Sequence, residues 1–333
     1  MSKSRKFKIL SLDGGGIRGV FPAYLLAKIE ESVKQPIWTY FDLICGTSTG
    51  GIISLAIAVG KPVSEVLKMY QEEAATIFPK APHKIVKAVR CLLGNGGYYP
   101  SENLENVLRK FYLVENRSLK MQDARTRLCI PAVDLCMGRT KVYKTPHEVI
   151  KPEKETFHSD AELDLWTVAR ATSAAPFLFP SAKVRQSYSV DGGLWANNPS
   201  FVGLTEALRI GFSLEEIQIL SIGTGIRESQ VLQCHAEKMN LHKWAKDYKF
   251  LDTIFSVQSQ AVCNQLDHIL SKDSYLRINT TYSEKIGIDD IDRIPDLINH
   301  SESVVQSDKD TILGRFFTDY AQNPYKSEAT YEH

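Results

Sequence analysis

The stretch Leu43-Ile44-Cys45-Gly46-Thr47-Ser48-Thr49-Gly50-Gly51 decides the fold, because it predicts a strand, a sharp turn and a helix in immediate succession. An apolar run rich in strand formers ends at Gly46, and a long helix-compatible run begins at Ile52. Ser48 lies between two glycines in a Gly-x-Ser-x-Gly pattern, which is typical of a nucleophile elbow with an exposed hydroxyl. Glycine is needed on both sides because a Cβ there would collide with nearby backbone. The stretch therefore predicts an α/β protein with Ser48 as a nucleophile.

The composition of the 333-residue chain is that of an ordinary globular protein, with 43% hydrophobic and 24% charged residues. A net charge of +1 gives no basic footprint for nucleic acid, so neither DNA nor RNA is expected as a partner. The most apolar run, at 52–60, is far too short to cross a bilayer, and the basic start lacks a signal-peptide core. Six scattered cysteines without a Cys-x-x-Cys pair indicate reduced thiols. These features predict a cytoplasmic protein.

Strand-like and helix-like segments alternate along the chain. Strands are expected at 7–12, 128–135, 141–144, 187–190, 217–222 and 275–278. Helices are expected at 20–32, 63–78, 83–93, 101–111, 163–175, 203–210, 242–270 and 303–320. This alternation predicts a layered α/β fold whose central sheet is mainly parallel and flanked by helices. Because no linker interrupts it, we expect one domain at 1–333, with a core at about 7–225 and a helical C-terminal part at 226–333.

A glycine loop follows the first expected strand, in the sequence Asp13-Gly14-Gly15-Gly16-Ile17-Arg18-Gly19. Three successive glycines leave their backbone N–H groups unobstructed, so the loop is a candidate oxyanion hole for a serine nucleophile. Arg18 could add charge or hold the loop. The same glycines also fit Gly-x-Gly-x-x-Gly, a dinucleotide-binding pattern. That alternative requires an acidic residue at the end of the next strand, and the sequence has Gly46-Thr47-Ser48 there.

The base for Ser48 has two candidate types. A Ser–His–Asp triad would draw on one of the late histidines, which are His235, His242, His268 and His300. Asp191, at the end of a short strand, could instead act directly, at the same edge of a parallel sheet as Ser48. A carboxylate needs a raised pKa to deprotonate a hydroxyl, and the apolar neighbours of Asp191 could supply the necessary desolvation. The residues alone leave both candidates open.

Three signatures in this order resemble the patatin-like phospholipases: residues 13–19, residues 46–50 and Asp191-Gly192-Gly193. The similarity extends from about Lys8 to at least Thr224 and includes the segments 40–42, 171–176 and 197–199. The resemblance implies the three-layer patatin-like fold and a Ser–Asp dyad without histidine, metal or cofactor. It assigns the nucleophile to Ser48, the base to Asp191 and the oxyanion site to Gly14, Gly15, Gly16 and Arg18. Alanine is frequent in the family where Gly193 stands here.

The resemblance also implies an activity, which is hydrolysis of acyl esters of membrane phospholipids at the inner membrane surface, with transient membrane contact. Residues 97–101 and the compact N-terminus resemble the bacterial patatin-like effectors of anti-phage defence (CBASS). Those effectors are switched on by a cyclic oligonucleotide, so the likeness implies a cyclic dinucleotide activator. The sequence leaves the oligomeric state open, a homo-oligomer included. A non-enzymatic effector that retains the fold is a further alternative.

Two groups of side chains carry expectations about ligands. The basic residues could meet nucleotide phosphates, with an ordinary solvated surface as the alternative; they are Lys84, Lys87, Arg90, Arg125 and Arg127. Phe177-Leu178-Phe179, together with Trp195, could line an acyl channel or belong to the core beside it.

Overall fold

The computed structural model describes residues 6–80, 97–146, 158–227, 249–321 and 325. The helix expected at 83–93, with its three basic residues, and the first seven residues of the helix expected at 242–270 lie outside these ranges. His235 and His242 also lie outside them.

The centre of the molecule is an eight-stranded sheet with the order β11-β9-β1-β2-β5-β8-β7, in which β6 also pairs with β5. Two small two-stranded sheets, β3-β4 and β10-β12, lie outside it. The strands are β1 (Phe7–Leu12), β2 (Leu43–Gly46), β3 (Leu113–Val114), β4 (Arg117–Ser118), β5 (Arg127–Asp134), β6 (Arg139–Lys144), β7 (Ala182–Val184), β8 (Ser187–Asp191), β9 (Ile217–Ile222), β10 (Ile226–Arg227), β11 (Tyr275–Ile278) and β12 (Thr281–Tyr282).

The direction of the strands changes at β5. From β11 to β5 the neighbours are parallel, whereas β6 and β8 run antiparallel to β5 and β7 runs antiparallel to β8. β5 extends beyond its pairing with β2, and β8 returns along that extension until Asp191 lies opposite Ala132. The expectation of a parallel edge at Asp191 is therefore wrong. Asp191 reaches the edge where β1 and β2 end because an antiparallel strand returns to it.

Helices cover both faces of the sheet, which gives the predicted three layers. Alternation along β1 divides its side chains: Phe7 and Ile9 contribute to one core cluster, Leu10 and Leu12 to the other. The helices are α1 (Val20–Val33), α2 (Thr49–Ala58), α3 (Val63–Ile77), α4 (Ser101–Phe111), α5 (His158–Ala161), α6 (Leu165–Thr172), α7 (Gly193–Ala196), α8 (Ser200–Ile210), α9 (Lys249–Ile269) and α10 (Ile294–Phe316).

Most expected segments coincide with observed elements to within three residues, and the last helix is an exception. The last helix begins at Ile294 rather than at 303, because Pro295 occupies its first turn, where proline is compatible with helix. Several short elements were not predicted; they are β3, β4, β7, β10, β12, α5 and α7. β11, from the expected C-terminal part, extends the main sheet by pairing with β9, while the division near residue 225 remains a prediction. Among the described residues, no helix combines the length and apolar character that crossing a bilayer requires.

Candidate active site

The turn between β2 and α2 places Ser48 in a strained conformation. Its backbone has φ 54° and ψ −123°, in the left-handed half of φ space that a non-glycine residue rarely adopts. A Cβ at Gly46 would lie 2.2 Å from the Gly50 carbonyl oxygen, and a Cβ at Gly50 would lie 2.3 Å from the Leu12 carbonyl oxygen. Only glycine fits at either position, so the Gly-x-Ser-x-Gly pattern follows from this close packing.

Ser48 and Asp191 are in direct contact at the buried edge of the sheet. The Ser48 hydroxyl donates a hydrogen bond to Asp191 Oδ2 over 2.7 Å, and the Gly193 N–H donates to Oδ1, also over 2.7 Å. Asp191 is completely buried and Ser48 is 6% exposed. Burial raises the pKa of Asp191 to about 7, against the opposing effect of the two hydrogen bonds. A carboxyl group with this pKa can accept a proton near neutral pH.

Thr172 supports Ser48 from α6, a role that sequence reasoning missed. The Ser48 N–H donates to Thr172 Oγ1 over 2.9 Å, and the Thr172 hydroxyl donates to the Pro131 carbonyl over 2.6 Å. Thr47 contributes a further contact, since its hydroxyl donates to the Ala196 carbonyl over 2.6 Å. The elbow is therefore fixed to β5 and to the segment that follows Asp191. The family-like segment 171–176 was the available signal for Thr172.

The glycine loop, residues 13–19, lies beside Ser48. A Cβ at Gly14 would be 3.2 Å from Ser48 Cβ, but the Gly14 N–H donates to the Asn197 carbonyl over 3.0 Å. The N–H groups of Gly15 and Gly16 donate to no backbone carbonyl of the described residues. Within the expected oxyanion set, the N–H groups of Gly15 and Gly16 are thus the ones left without a backbone acceptor among the described residues, and Gly16 lines the same pocket as Ser48.

The close packing of the loop also bears on the dinucleotide alternative. Gly16 has φ +59°, and a Cβ there would lie 2.1 Å from the Ile288 carbonyl oxygen. A Cβ at Gly19 would lie 2.0 Å from Thr49 Oγ1. Both glycines therefore accommodate the protein's own atoms, whereas a dinucleotide site uses its glycines to admit a pyrophosphate. This packing favours the hydrolase interpretation.

Charged side chains hold the loop in place. Arg18 Nε donates to the Gly15 carbonyl over 3.3 Å, and its Nη2 pairs with Asp252 over 3.1 Å. Asp13 accepts hydrogen bonds from Arg277 Nη1 over 2.8 Å and from the Ser259 hydroxyl over 2.6 Å. Of the two roles considered for Arg18, these contacts favour holding the loop.

An apolar pocket, called the acyl pocket below, opens from Ser48 and Asp191. Its walls include Met69 and Tyr70 of α3, Leu104 of α4 and Phe255 of α9. Leu178 and Phe179 also line it, whereas Phe177 is 43% exposed. The pocket has a volume of about 40 Å³, far below the roughly 300–1,000 Å³ of typical ligand sites. An acyl chain therefore requires these walls to separate.

Of the two alternatives considered for Trp195, lining the acyl pocket does not hold. Its indole N–H donates to the Ala132 carbonyl over 2.9 Å, and the residue instead lines a second cavity. Trp195 belongs to the short helix α7, which begins two residues after Asp191.

The remaining candidates lie in other surroundings. The His300 ring packs edge-on against Tyr282, with centroids 4.9 Å apart, and His268 is exposed on α9. The guanidinium of Arg125 lies over the Trp38 ring and that of Arg127 over the Phe7 ring. The direct contact of Ser48 with Asp191 thus favours the carboxylate as base, and these two arginines have aromatic partners.

Comparisons with known proteins identify the family of this chain. A family model described as "Patatin-like phospholipase" matches residues 10–202, which include the glycine loop from Asp13, the elbow and Asp191. A "cGAMP-activated phospholipase" of Vibrio cholerae is 38% identical over 235 residues, covering 65% of this chain and 64% of that protein. One of the same description from Pseudomonas aeruginosa is 29% identical over 295 residues, covering 86% and 83%.

A human protein is similar over the same extent of the chain. The "Calcium-independent phospholipase A2-gamma" of Homo sapiens is 29% identical over 296 residues, covering 86% of this chain and 36% of that protein. The chain spans just under two thirds of the length of the first two curated relatives it matches, 64% and 62%.

Proposed function

Because this chain belongs to the patatin-like phospholipase family, we propose that it is a serine acyl hydrolase that cleaves fatty-acyl esters of membrane phospholipids. The observation that carries the proposal is the 2.7 Å hydrogen bond from the strained Ser48 to the buried Asp191 at the base of an apolar pocket. The relatives described as phospholipases support the same substrate class.

In the proposed reaction, Ser48 Oγ attacks the ester carbonyl carbon while its proton passes to Asp191 Oδ2. Asp191 then gives that proton to the leaving lysolipid oxygen, and the acyl group remains on Ser48. Water attacks this acyl-enzyme, its proton passes to Asp191 and then to Ser48, and the fatty acid leaves. A carboxyl pKa of about 7 suits both directions of transfer.

The negative charge on the substrate oxygen needs hydrogen-bond donors. In the proposed site these are the N–H groups of Gly15 and Gly16, with the positive end of α2 nearby. Gly14 and Arg18 act in this proposal by holding the loop, since both are engaged with other groups of the protein.

We further propose that a cyclic dinucleotide activates the enzyme and that it acts as an anti-phage effector at the inner membrane surface. The relatives described as cGAMP-activated support the activator. The narrow acyl pocket agrees with a requirement for activation, because the walls must separate before a lipid chain enters. The exposed Phe177, beside the pocket-lining Leu178, is a candidate for transient membrane contact.

The test is hydrolysis of a fluorogenic phospholipid in vesicles, with and without cGAMP. Ser48→Ala and Asp191→Asn should each abolish hydrolysis, while Ser303→Ala and Asp310→Asn, at exposed positions of α10, should match the unmodified protein. Hydrolysis that is unchanged in either site variant would contradict the dyad. Equal rates with and without cGAMP would remove the activator and leave the hydrolase.

A further inference from the structure

A second cavity, with a volume of about 330 Å³, is lined in part by the segment that follows Asp191. Its walls come from β6, from residues 195–198, from α8 and from α9. The volume is at the lower end of the roughly 300–1,000 Å³ of small-molecule sites. None of the residues proposed for catalysis lines it.

The cavity contains two aromatic residues suited to a planar ligand. Trp195 is fixed by the hydrogen bond from its indole N–H to Ala132, and Phe201 contributes a second ring from α8. Aromatic side chains of this kind bind nucleobases by stacking, since every base has a π face. Because its hydrogen bond to the Ala132 carbonyl already holds the Trp195 indole in place, binding a base does not cost the entropy of ordering this ring.

The polar lining selects for an uncharged base rather than a phosphate. Glu206 and Lys144 form an ion pair here, with side chains only 5% and 15% exposed. Arg209 Nη1 lies 3.8 Å from the other Glu206 oxygen, so the nearby positive charges already face a carboxylate. A phosphate inside the cavity would be repelled by that carboxylate.

Guanine fits the ion pair of Glu206 and Lys144 better than adenine does. A carboxylate accepts hydrogen bonds only, and guanine presents N–H donors on the edge where adenine N1 is an acceptor. Lysine commonly donates to guanine O6 and N7. The exposed amide of Gln265 adds a further polar group at the rim.

Helix α9 connects this cavity to the candidate active site. Gln258 lines the cavity, and its Oε1 accepts the Asn198 N–H over 2.9 Å. One turn earlier, Phe255 lines the acyl pocket and contacts Gly193, where an added Cβ would lie 2.7 Å from its ring. Asp252 and Ser259 of the same helix hold the glycine loop through Arg18 and Asp13.

We propose that the second cavity binds the guanine base of the activating cyclic dinucleotide, and that the base shifts the turn of α9 that carries Phe255 and Gln258, so that Phe255 leaves the acyl pocket while Asp252 and Ser259 keep the glycine loop in place. This assignment rests on the proposed function. The cavity suits one nucleoside half of the ligand, and the phosphates remain at its mouth. Binding of the base in the second cavity therefore opens the acyl pocket to a lipid acyl chain.

The test compares two substitutions on α8. Thr205 is exposed and lines the cavity, whereas Leu208, three residues later, is 40% exposed and does not line it. Calorimetric titration with cGAMP should show Thr205→Trp binding at least about tenfold more weakly than the unmodified protein, since the indole fills the cavity. Leu208→Trp should bind within about twofold, and c-di-AMP should bind the unmodified protein at least about tenfold more weakly than cGAMP.

Phospholipid hydrolysis separates the possible failures. Circular dichroism melting checks that Thr205→Trp is folded, and Gln265→Glu, which adds charge at the rim, replaces it if it is not. If the unmodified protein is activated by cGAMP and both cavity variants respond equally, the site assignment is wrong and the proposed function stands. If no nucleotide binds the unmodified protein, both the activator and the site are overturned. Equal affinity for c-di-AMP would overturn the guanine assignment.

Discussion

The carboxyl group of Asp191 sets the pH dependence expected of the proposed reaction. Only its ionised form can accept the Ser48 proton, and burial raises its pKa to about 7. We therefore expect kcat/KM to rise with pH through about 7 and to level off above it. Initial rates on a fluorogenic ester from about pH 5 to pH 9 measure this. A rise in kcat/KM centred at about pH 4 would show that burial does not raise the pKa of Asp191.

The same carboxyl group makes the fold less stable as the pH increases. Its pKa is about 7 in the folded chain against 3.8 for an aspartate in the unfolded chain, so between these values the native state holds a proton that the unfolded state has released. Its contribution to stability is full below about pH 4 and is lost as the pH rises to about 7, by roughly 1.4 kcal/mol per unit.

Asp191→Asn does not titrate, so it should be less destabilised than the unmodified protein on going from about pH 5 to pH 8. Urea unfolding of both proteins at the two pH values measures the change in the free energy of unfolding. The other titrating groups are common to both proteins, so their contributions cancel in the comparison. Identical pH dependence would contradict the raised pKa.

Thr172 should matter to the elbow through its hydroxyl. Thr172→Val keeps the shape but leaves the buried Ser48 N–H without its acceptor, which costs about 1–3 kcal/mol. We expect a lower melting temperature and slower labelling of Ser48 by a fluorophosphonate. Thr172→Ser retains the hydroxyl and should stay close to the unmodified protein. Equal losses in both variants would assign the effect to packing.

Single residues could be predicted where the signal is local. Ser48 lies in a five-residue pattern, and Asp191 precedes two glycines, so each carries its own signature. Thr172 contacts Ser48 across 124 positions and Arg277 contacts Asp13 across 264. No periodicity or spacing encodes such contacts, because they arise only when the sheet brings distant segments to one edge.

At the scale of elements, α9 is the part that touches both cavities. Phe255→Leu shortens the side chain between α9 and the acyl pocket, so we expect hydrolysis of long-chain phospholipid without cGAMP to increase severalfold. Val257→Ala, at a 60% exposed position of the same helix, is the matched control. A decrease in hydrolysis both with and without cGAMP would show that Phe255 stabilises the active site instead of blocking the acyl pocket.

Element types and the mainly parallel pairing of the sheet were predictable, whereas the reversal of direction at β8 was not. Apolar runs and turn residues indicated β1, β2 and β9, because hydrophobic period and glycine placement are properties of short segments. The direction of β8 depends on its pairing with the extended end of β5, which is a property of the assembled sheet. The start of α10 was missed although Ile294, Leu297 and Ile298 have helical spacing and Pro295 lies in the first turn, where a helix tolerates proline.

At the scale of the whole molecule, residues beyond the family match complete the glycine loop. The match ends at residue 202, yet the loop depends on Arg277 of β11, on Asp252 and Ser259 of α9 and on the Ile288 carbonyl. The Ile288 carbonyl accepts the Ile17 N–H over 2.8 Å. The later third of the chain therefore fixes the donors proposed for the reaction.

The buried pair of Arg277 and Asp13 tests this dependence. Arg277→Gln or Asp13→Asn alone leaves one buried charge without its partner, which costs about 3–5 kcal/mol. The double variant should lose less than the sum of the two, with a coupling of about 1–3 kcal/mol. Urea unfolding of the four proteins measures the coupling, and fluorophosphonate labelling of Ser48 measures the loop.

The exposed pair of Lys80 and Asp292 is the control, because both side chains are more than 60% exposed and such pairs contribute about 0–1 kcal/mol. If the Arg277 and Asp13 variants lost stability while Ser48 reacted at its normal rate, the pair would stabilise the fold without positioning the loop. Slower labelling in the single variants, restored in part by the double variant, is the expected result. It would place the control of the oxyanion donors in the last strand of the sheet.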